Sequence, residues 1–212
     1  MNATVTRPDN LDTADAIAFD RDGRDFVLRA QQWLPASPES IWRFVGDCRH
    51  MNHVIPPFMR FRILSPIPDG VPPAIAPGAI YEYKLRLHGV GFFWRTLMKE
   101  VEYPRRFRDV QAKGPYASFS HEHTFEAMDW AGVSGTLTRD IIRYRPPGGP
   151  LAPLINATMV RRDLQKLFER RHRRMAELFA EGGDPAAELF GDKFTRHLAS
   201  ESPQHAPDPP AA

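Results

Sequence analysis

Phe119, His121, His123 and Phe125 recur at every second position of one short segment. In an extended strand that period places all four side chains on one face. The alternate positions, Ser120, Glu122, Thr124 and Glu126, are polar, so the aromatic and histidine face is expected to point inward. A buried imidazole needs hydrogen-bond partners, and three uses of the pair are open. The histidines can brace a half-polar core, or meet a carbonyl or hydroxyl of a bound molecule. They can also serve as two ligands of a metal, which then requires a third. Asp109 or Asp140 could supply it, but nothing in the spacing demands it, so neither metal nor cofactor is assigned.

Asp109 and Gln111 share a strand face with Phe107, and Asp140 shares one with Thr136, Thr138, Ile142 and Tyr144. With these faces inward, two carboxylates come close to two histidines. Such a set suits general acid–base catalysis, with His121, His123, Asp109 and Asp140 as the candidates. It equally suits a buried network that fixes strand register, and none of the four is committed to catalysis. Arg171 falls inside an apolar helical stripe with Leu164, Phe168, Met175 and Leu178. A buried guanidinium must pair with a carboxylate, bind an anionic ligand group, or extend its head to the rim. Arg161, Arg162, Arg170, Arg173 and Arg174 read as the solvated face of that helix. Tyr81, Tyr83, Trp94 and Tyr116 offer aromatic surface with polar tips, common in small-molecule pockets and in plain cores. Cys48 has no Cys/His nucleophile motif around it. There is no Gly-rich phosphate loop, Gly-x-Ser-x-Gly elbow or His-Glu-x-x-His motif.

The elements that must position these residues follow from periodicity. Phe26–Trp33 reads as a strand. Ser37 is a good N-cap with Pro38 at the first helical position, so a short helix begins there. A second short helix over Asp47–Val54 is stopped by Pro56-Pro57. Phe58–Leu64 alternates as a strand, and Ser65–Gly78 is a proline-rich loop. Ala79–His88 sets Tyr81, Tyr83, Leu85 and Leu87 against Glu82, Lys84, Arg86 and His88. Gly89-Val90-Gly91 turns the chain, and Phe92–Val101, Phe107–Ala112, Ser118–Glu126 and Ser134–Tyr144 continue an antiparallel meander. From near Leu154 to about Ala180, apolar residues at three- and four-residue spacing predict one long amphipathic helix. The fold class is α+β: a curved antiparallel sheet wrapped around a long C-terminal helix, with two short helices after the first strand.

The chain has 212 residues, room for one domain with tails, and the hydrophobic share of 42% supports a real core. Residues 1–24 read as a flexible arm, 25–182 as the domain and 183–212 as a largely disordered tail, with one short helix possible at Ala186–Leu198. A single cysteine excludes an internal disulfide framework. A net charge of +2 gives no footprint for nucleic acid. No apolar run is long enough to span a membrane, and the acidic N-terminus lacks secretory character. The expected location is the cytoplasm; oligomeric state is left open.

Over about Asp25–Ala180 the chain resembles the START-like, or SRPBCC, superfamily. Its nearest likeness is to a bacterial group of ligand-binding SRPBCC proteins. The likeness is carried by Trp94-Arg95-Thr96, by Phe107-Arg108-Asp109-Val110-Gln111-Ala112-Lys113-Gly114-Pro115-Tyr116, and by His121-Glu122-His123-Thr124-Phe125. It continues with Gly135-Thr136, Asp140, Tyr144 and Arg162-Asp163-Leu164-Gln165-Lys166-Leu167-Phe168. Where that group carries a tryptophan two residues before the first histidine, this chain has Phe119, which keeps a ring and lacks the indole N–H. The resemblance implies a helix-grip fold with a cavity between sheet and helix that takes a small hydrophobic or amphipathic partner. The expected ligand-contacting set is Tyr81, Tyr83, Trp94, Thr96, Phe107, Asp109, Gln111, Tyr116, Phe119, His121, His123, Asp140, Phe168 and Arg171. The alternatives are a cyclase- or dehydratase-like enzyme using a cavity histidine with a carboxylate partner, and an interaction module whose cavity is filled. An Asp–His pair at hydrogen-bonding distance beside an open cavity favours the enzyme; a collapsed cavity favours the module.

Overall fold

The computed structural model of the chain describes residues 15–67, 75–180 and 185–186. Among the described residues eight strands form one antiparallel sheet whose first and third strands in chain order are its two edges. They are β1 (Asp15–Asp22), β2 (Asp25–Leu34), β3 (Arg62–Ile63), β4 (Ile80–Leu87), β5 (Val90–Glu102), β6 (Arg106–Lys113), β7 (Ser118–Ala127) and β8 (Thr136–Arg145). From β4 to β8 each strand pairs with the next, so the expected meander is observed. β2 joins the meander by pairing with β8, and β1 and β3 are the two edges of the sheet, whose order is β1-β2-β8-β7-β6-β5-β4-β3. Register irregularities in β5, between Arg95 and Thr96 and between Met98 and Glu100, bend that strand.

Two short helices, α1 (Pro38–Gly46) and α2 (Met51–Val54), follow β2. Ser37 caps α1 as expected, its hydroxyl accepting the Ser40 N–H at 3.2 Å. The C-terminal helical run comprises α3 (Ala152–Ile155), a π turn over Asn156–Val160, and α4 (Arg161–Leu178). The π turn carries Asn156 to the Tyr144 hydroxyl, which donates to Asn156 Oδ1 at 2.8 Å. A side-chain anchor of this kind leaves no periodic signal in the sequence.

Four expectations are corrected. Part of the arm assigned to residues 1–24 is β1, an edge strand whose Ile17 and Phe19 pack on the core through pairing with Ala30 and Leu28. Its aspartates at both ends hide the pattern, because only one face is apolar. Phe58–Leu64 is not one strand: Pro57–Met59 forms a 3-10 turn, Arg60 has φ 42°, and only Arg62–Ile63 pairs. Pro57 supplies no N–H to a ladder, so pairing starts beyond the turn. The β4–β5 turn is His88-Gly89, both at positive φ, rather than Gly89-Val90-Gly91. In the tail, Pro185 and Ala186 are buried, and Ala186 belongs to the core; the helix considered from Ala186 onward otherwise lies outside the described residues.

Two apolar clusters hold helix to sheet. One gathers α1 and the C-terminal part of α4, with Trp42 edge-on to Phe107 at 5.1 Å and to Phe125 at 5.8 Å. The other gathers Leu28, Ile142, Tyr144, Leu164 and Phe168 beneath the first half of α4. Arg170 and Arg174 do not merely cover the solvated face. Their Nε atoms donate to Ile55 O at 3.1 Å and His53 O at 3.3 Å, at the C-terminal end of α2.

Candidate functional site

Sheet, α4 and the α1–α2 segment enclose an open cavity of about 230 Å³. Strand alternation builds its floor. Tyr81, Tyr83, Leu85 and Leu87 of β4 all line it, as the sequence pattern requires. Trp94 and Thr96 of β5, Phe107 and Asp109 of β6, and Phe119, His121 and His123 of β7 extend the floor. Tyr116, from the β6–β7 turn, joins Trp94 and Phe119 in an aromatic group, with Trp94 edge-on to Phe119 at 4.8 Å. Leu164, Leu167, Phe168 and Arg171 form the roof. The side wall was not recognised in the sequence: Cys48, Met51, Val54 and Ile55 line it, with Phe61 and Ile75 beyond. The Met51, Val54, Ile55 spacing is the one signal that could have found it.

Polar groups gather in one part of this cavity because β6, β7 and β8 place them in register. Asp109 lies opposite His121, Phe107 opposite His123, and His123 opposite Asp140. Asp140 is the hub, and it sits behind the histidines rather than on the cavity surface. Its Oδ1 accepts from His121 Nε2 at 2.9 Å and His123 Nδ1 at 2.7 Å, and Arg171 reaches the same oxygen at 3.4 Å. Arg171 thus takes the first of its three options, a carboxylate partner, while its guanidinium also lies over the Phe168 ring at 5.9 Å. The histidine rings are 3.8 Å apart; His123 is tilted against Phe107 at 4.3 Å and His121 meets Phe168 edge-on.

Electrostatics separates the two carboxylates. Burial alone would raise the Asp140 pKa, but the Arg171 guanidinium and the two histidines hold it well below the usual range. Burial pushes Asp109 up to about 6. Its carboxylate accepts no hydrogen bond among the described residues, and the one basic side-chain nitrogen among them within 4.0 Å is His123 Nε2. Burial pushes His123 down to about 3, so it is neutral near pH 7. His172, one position beyond Arg171, is lowered to about 4 by burial. Its carbonyl accepts from Gln32 Nε2 at 2.7 Å. Gln32 and His172 were missed, although His172 lies four residues after Phe168 on the same helical stripe.

Gln111 is the clear departure from the expected site. Its amide closes the β6–β7 turn, donating to Tyr116 O at 2.9 Å and accepting Tyr116 N–H at 3.2 Å. It does not line the cavity. Thr96 does line it, and its hydroxyl accepts Trp94 Nε1–H at 3.0 Å. Cys48 contacts Tyr83, and burial raises its thiol to about 12, so it is no thiolate nucleophile at neutral pH.

The family model for polyketide cyclase / dehydrase and lipid transport matches residues 34–171, the stretch that builds this cavity. The chain belongs to that family. It is a polyketide cyclase/dehydrase and lipid-transport family member of the START-like, or SRPBCC, superfamily. None of the curated proteins matches it. Among solved structures, a Mycobacterium smegmatis protein is similar at 16% identity and TM-score 0.53, covering 76% of this chain and 97% of its own. An Arthrobacter aurescens protein is similar at 14% identity and TM-score 0.53, covering 76% and 91%. A Chromobacterium violaceum protein follows at 14% identity and TM-score 0.51, covering 72% and 96%. At those identities the likeness establishes the fold this family member shares with them. Among its described residues, no helix is long and apolar enough to cross a membrane.

Proposed function

We propose that the protein binds a small hydrophobic or amphipathic molecule in the cavity between sheet and α4. The observation that carries this reading is the division of the cavity lining. Aromatic and aliphatic side chains supply most of the wall, and Asp109, His121, His123 and Arg171 concentrate the polarity in one place. Apolar walls provide affinity, and a few convergent polar groups fix orientation. At about 230 Å³ the cavity suits a small molecule, not a two-chain lipid held whole. The cavity is open, which argues against a module filled by its own side chains. Binding is tested by titrating a solvatochromic naphthalene probe into the full chain. Leu85→Trp fills the cavity from β4 and should weaken the probe at least about tenfold, while Lys84→Trp, on the opposite face of that strand, leaves it unchanged. Equal affinities for both variants and wild type would place the probe elsewhere.

A second reading has a specific observation in its favour. Two histidines hydrogen-bond one buried carboxylate beside an open cavity, the arrangement expected to favour cyclase- or dehydratase-like acid–base chemistry. In that reading Asp140 orients the rings, and Asp109 or His123 Nε2 exchanges the proton with the bound molecule. Turnover of a candidate cyclisation or dehydration substrate by wild type, lost about 100-fold in His123→Gln with binding retained, would establish it over simple binding.

A further inference from the structure

We propose that Asp109, His121 and His123 bind a divalent transition-metal ion whose remaining coordination positions open into the cavity. One ligand atom from each of the three lies within 4.8 Å of the other two. His123 Nε2 and Asp109 Oδ2, separated by 4.0 Å, must close by roughly half an ångström to meet around an ion with bonds of about 2.0–2.2 Å. The sequence alone could not fix a third ligand, because Asp109 and Asp140 were equally placed. The structure separates them.

The case rests on how the second carboxylate is used. Asp140 accepts Nε2–H of His121 at 2.9 Å and Nδ1–H of His123 at 2.7 Å. A carboxylate behind a histidine fixes its tautomer and orients its ring, the recurrent outer partner of metal-bound histidine. Here one carboxylate does so for both rings. The lone pairs left are on His121 Nδ1 and His123 Nε2. Asp109, on the neighbouring strand, adds a carboxylate with no hydrogen-bond partner among the described residues. All three donors belong to residues that line the cavity, and no hydrogen-bond donor is directed at Asp109 to complement them. Arg171 does not fill that role, because its guanidinium is directed to the Asp140 oxygen at 3.4 Å. That pairing offsets the charge of Asp140 and leaves Asp109 as the charge available to a cation.

Two imidazoles and one carboxylate suit zinc or ferrous ion, and three protein ligands leave open positions. All three residues line the cavity, so a bound molecule could complete the coordination through an oxygen. This deepens the ligand-pocket reading and rests on it: the preferred molecule carries a carboxylate, enolate or hydroxyl oxygen beside its apolar part.

The test is zinc titration of the full chain after dialysis against a chelator, by calorimetry and by elemental analysis of the re-dialysed protein. One equivalent of zinc should bind with a dissociation constant in the micromolar range or below. Asp109→Asn and His123→Gln should each weaken it at least about tenfold, and Asp140→Asn by about 10- to 100-fold. His88→Gln, on the exposed β4–β5 turn, should leave it unchanged. Circular dichroism confirms that each variant is folded. Failure to take up zinc stoichiometrically overturns the proposal, as does uptake that Asp109→Asn and His123→Gln leave intact. The naphthalene probe is titrated into the metal-free protein in parallel. If the probe binds and zinc does not, the metal site alone fails; if neither binds, the pocket reading fails with it.

Discussion

Replacing Asp140 with asparagine keeps the size of the side chain and removes the charge on which His121, His123 and Arg171 converge. Asp140 is 5% exposed and Arg171 is 17% exposed, so neither water nor another ion compensates fully. Removing one partner of a buried ion pair costs about 3–5 kcal/mol. The 3.4 Å separation and the partial exposure of Arg171 argue for the lower end, about 3 kcal/mol. In a domain of this size that lowers Tm by roughly 6–12 °C. Urea unfolding followed by circular dichroism reads the loss as a shift in midpoint at unchanged slope. The decisive comparison is Asp140→Asn/Arg171→Met. Once the orphaned guanidinium is gone, the double variant should be at least about 1 kcal/mol more stable than the sum of the two single losses. A loss below about 1 kcal/mol in Asp140→Asn, or strict additivity in the double variant, would refute the hub assigned to Asp140.

Phe168 is 1% exposed and borders the cavity, so Phe168→Ala should cost about 3 kcal/mol in urea unfolding, with a neutral result contradicting its place between α4 and the sheet. Gln111→Ala should destabilise the protein by about 1–2 kcal/mol through the two lost turn hydrogen bonds, without changing probe affinity; weakened probe binding would return Gln111 to the ligand site. Stability should also depend on pH through His172, which faces Asp140, Arg171 and Phe168. Burial lowers its folded pKa to about 4. From about pH 7.5 downward the unfolded chain therefore takes up a proton that the folded chain refuses. The contribution is complete above about pH 7.5 and is lost on acidification, by about 2 kcal/mol between about pH 7.5 and 5. Asp109, raised to about 6, acts in the opposite sense as it stays protonated in the fold, so the comparison is wild type against His172→Gln, in which Asp109 cancels. Parallel stability–pH curves for the two would contradict the burial of His172.

How much was legible differs from element to element. The inward face of β7 followed from alternation alone, because period two leaves no freedom once one face is charged, and the same rule placed Tyr81 and Tyr83. Alternation misled at Gln111: two residues beyond Asp109 it shares the strand face, but near the turn its amide is drawn to the Tyr116 backbone. Arg171 was recognisable as a charge inside an apolar stripe, yet only the fold could choose its partner, since Asp109 and Asp140 lie on strands whose pairing the sequence does not state. The edge strand β1 escaped because charges dominate its ends, and the α2 wall because four residues carry too little periodicity. The β2–β8 pairing joins residues more than a hundred positions apart, which no local pattern encodes.

The central claim is that the cavity holds a small molecule, and native mass spectrometry of the full chain tests it most directly. After gentle desalting, wild type should carry a discrete small-molecule adduct that organic extraction removes and identifies as hydrophobic or amphipathic. Leu85→Trp should run at the bare protein mass, and adding the extracted molecule should restore the adduct to wild type alone. The same adduct on both proteins, or a wild type that neither carries a molecule nor takes up the naphthalene probe, would contradict the account.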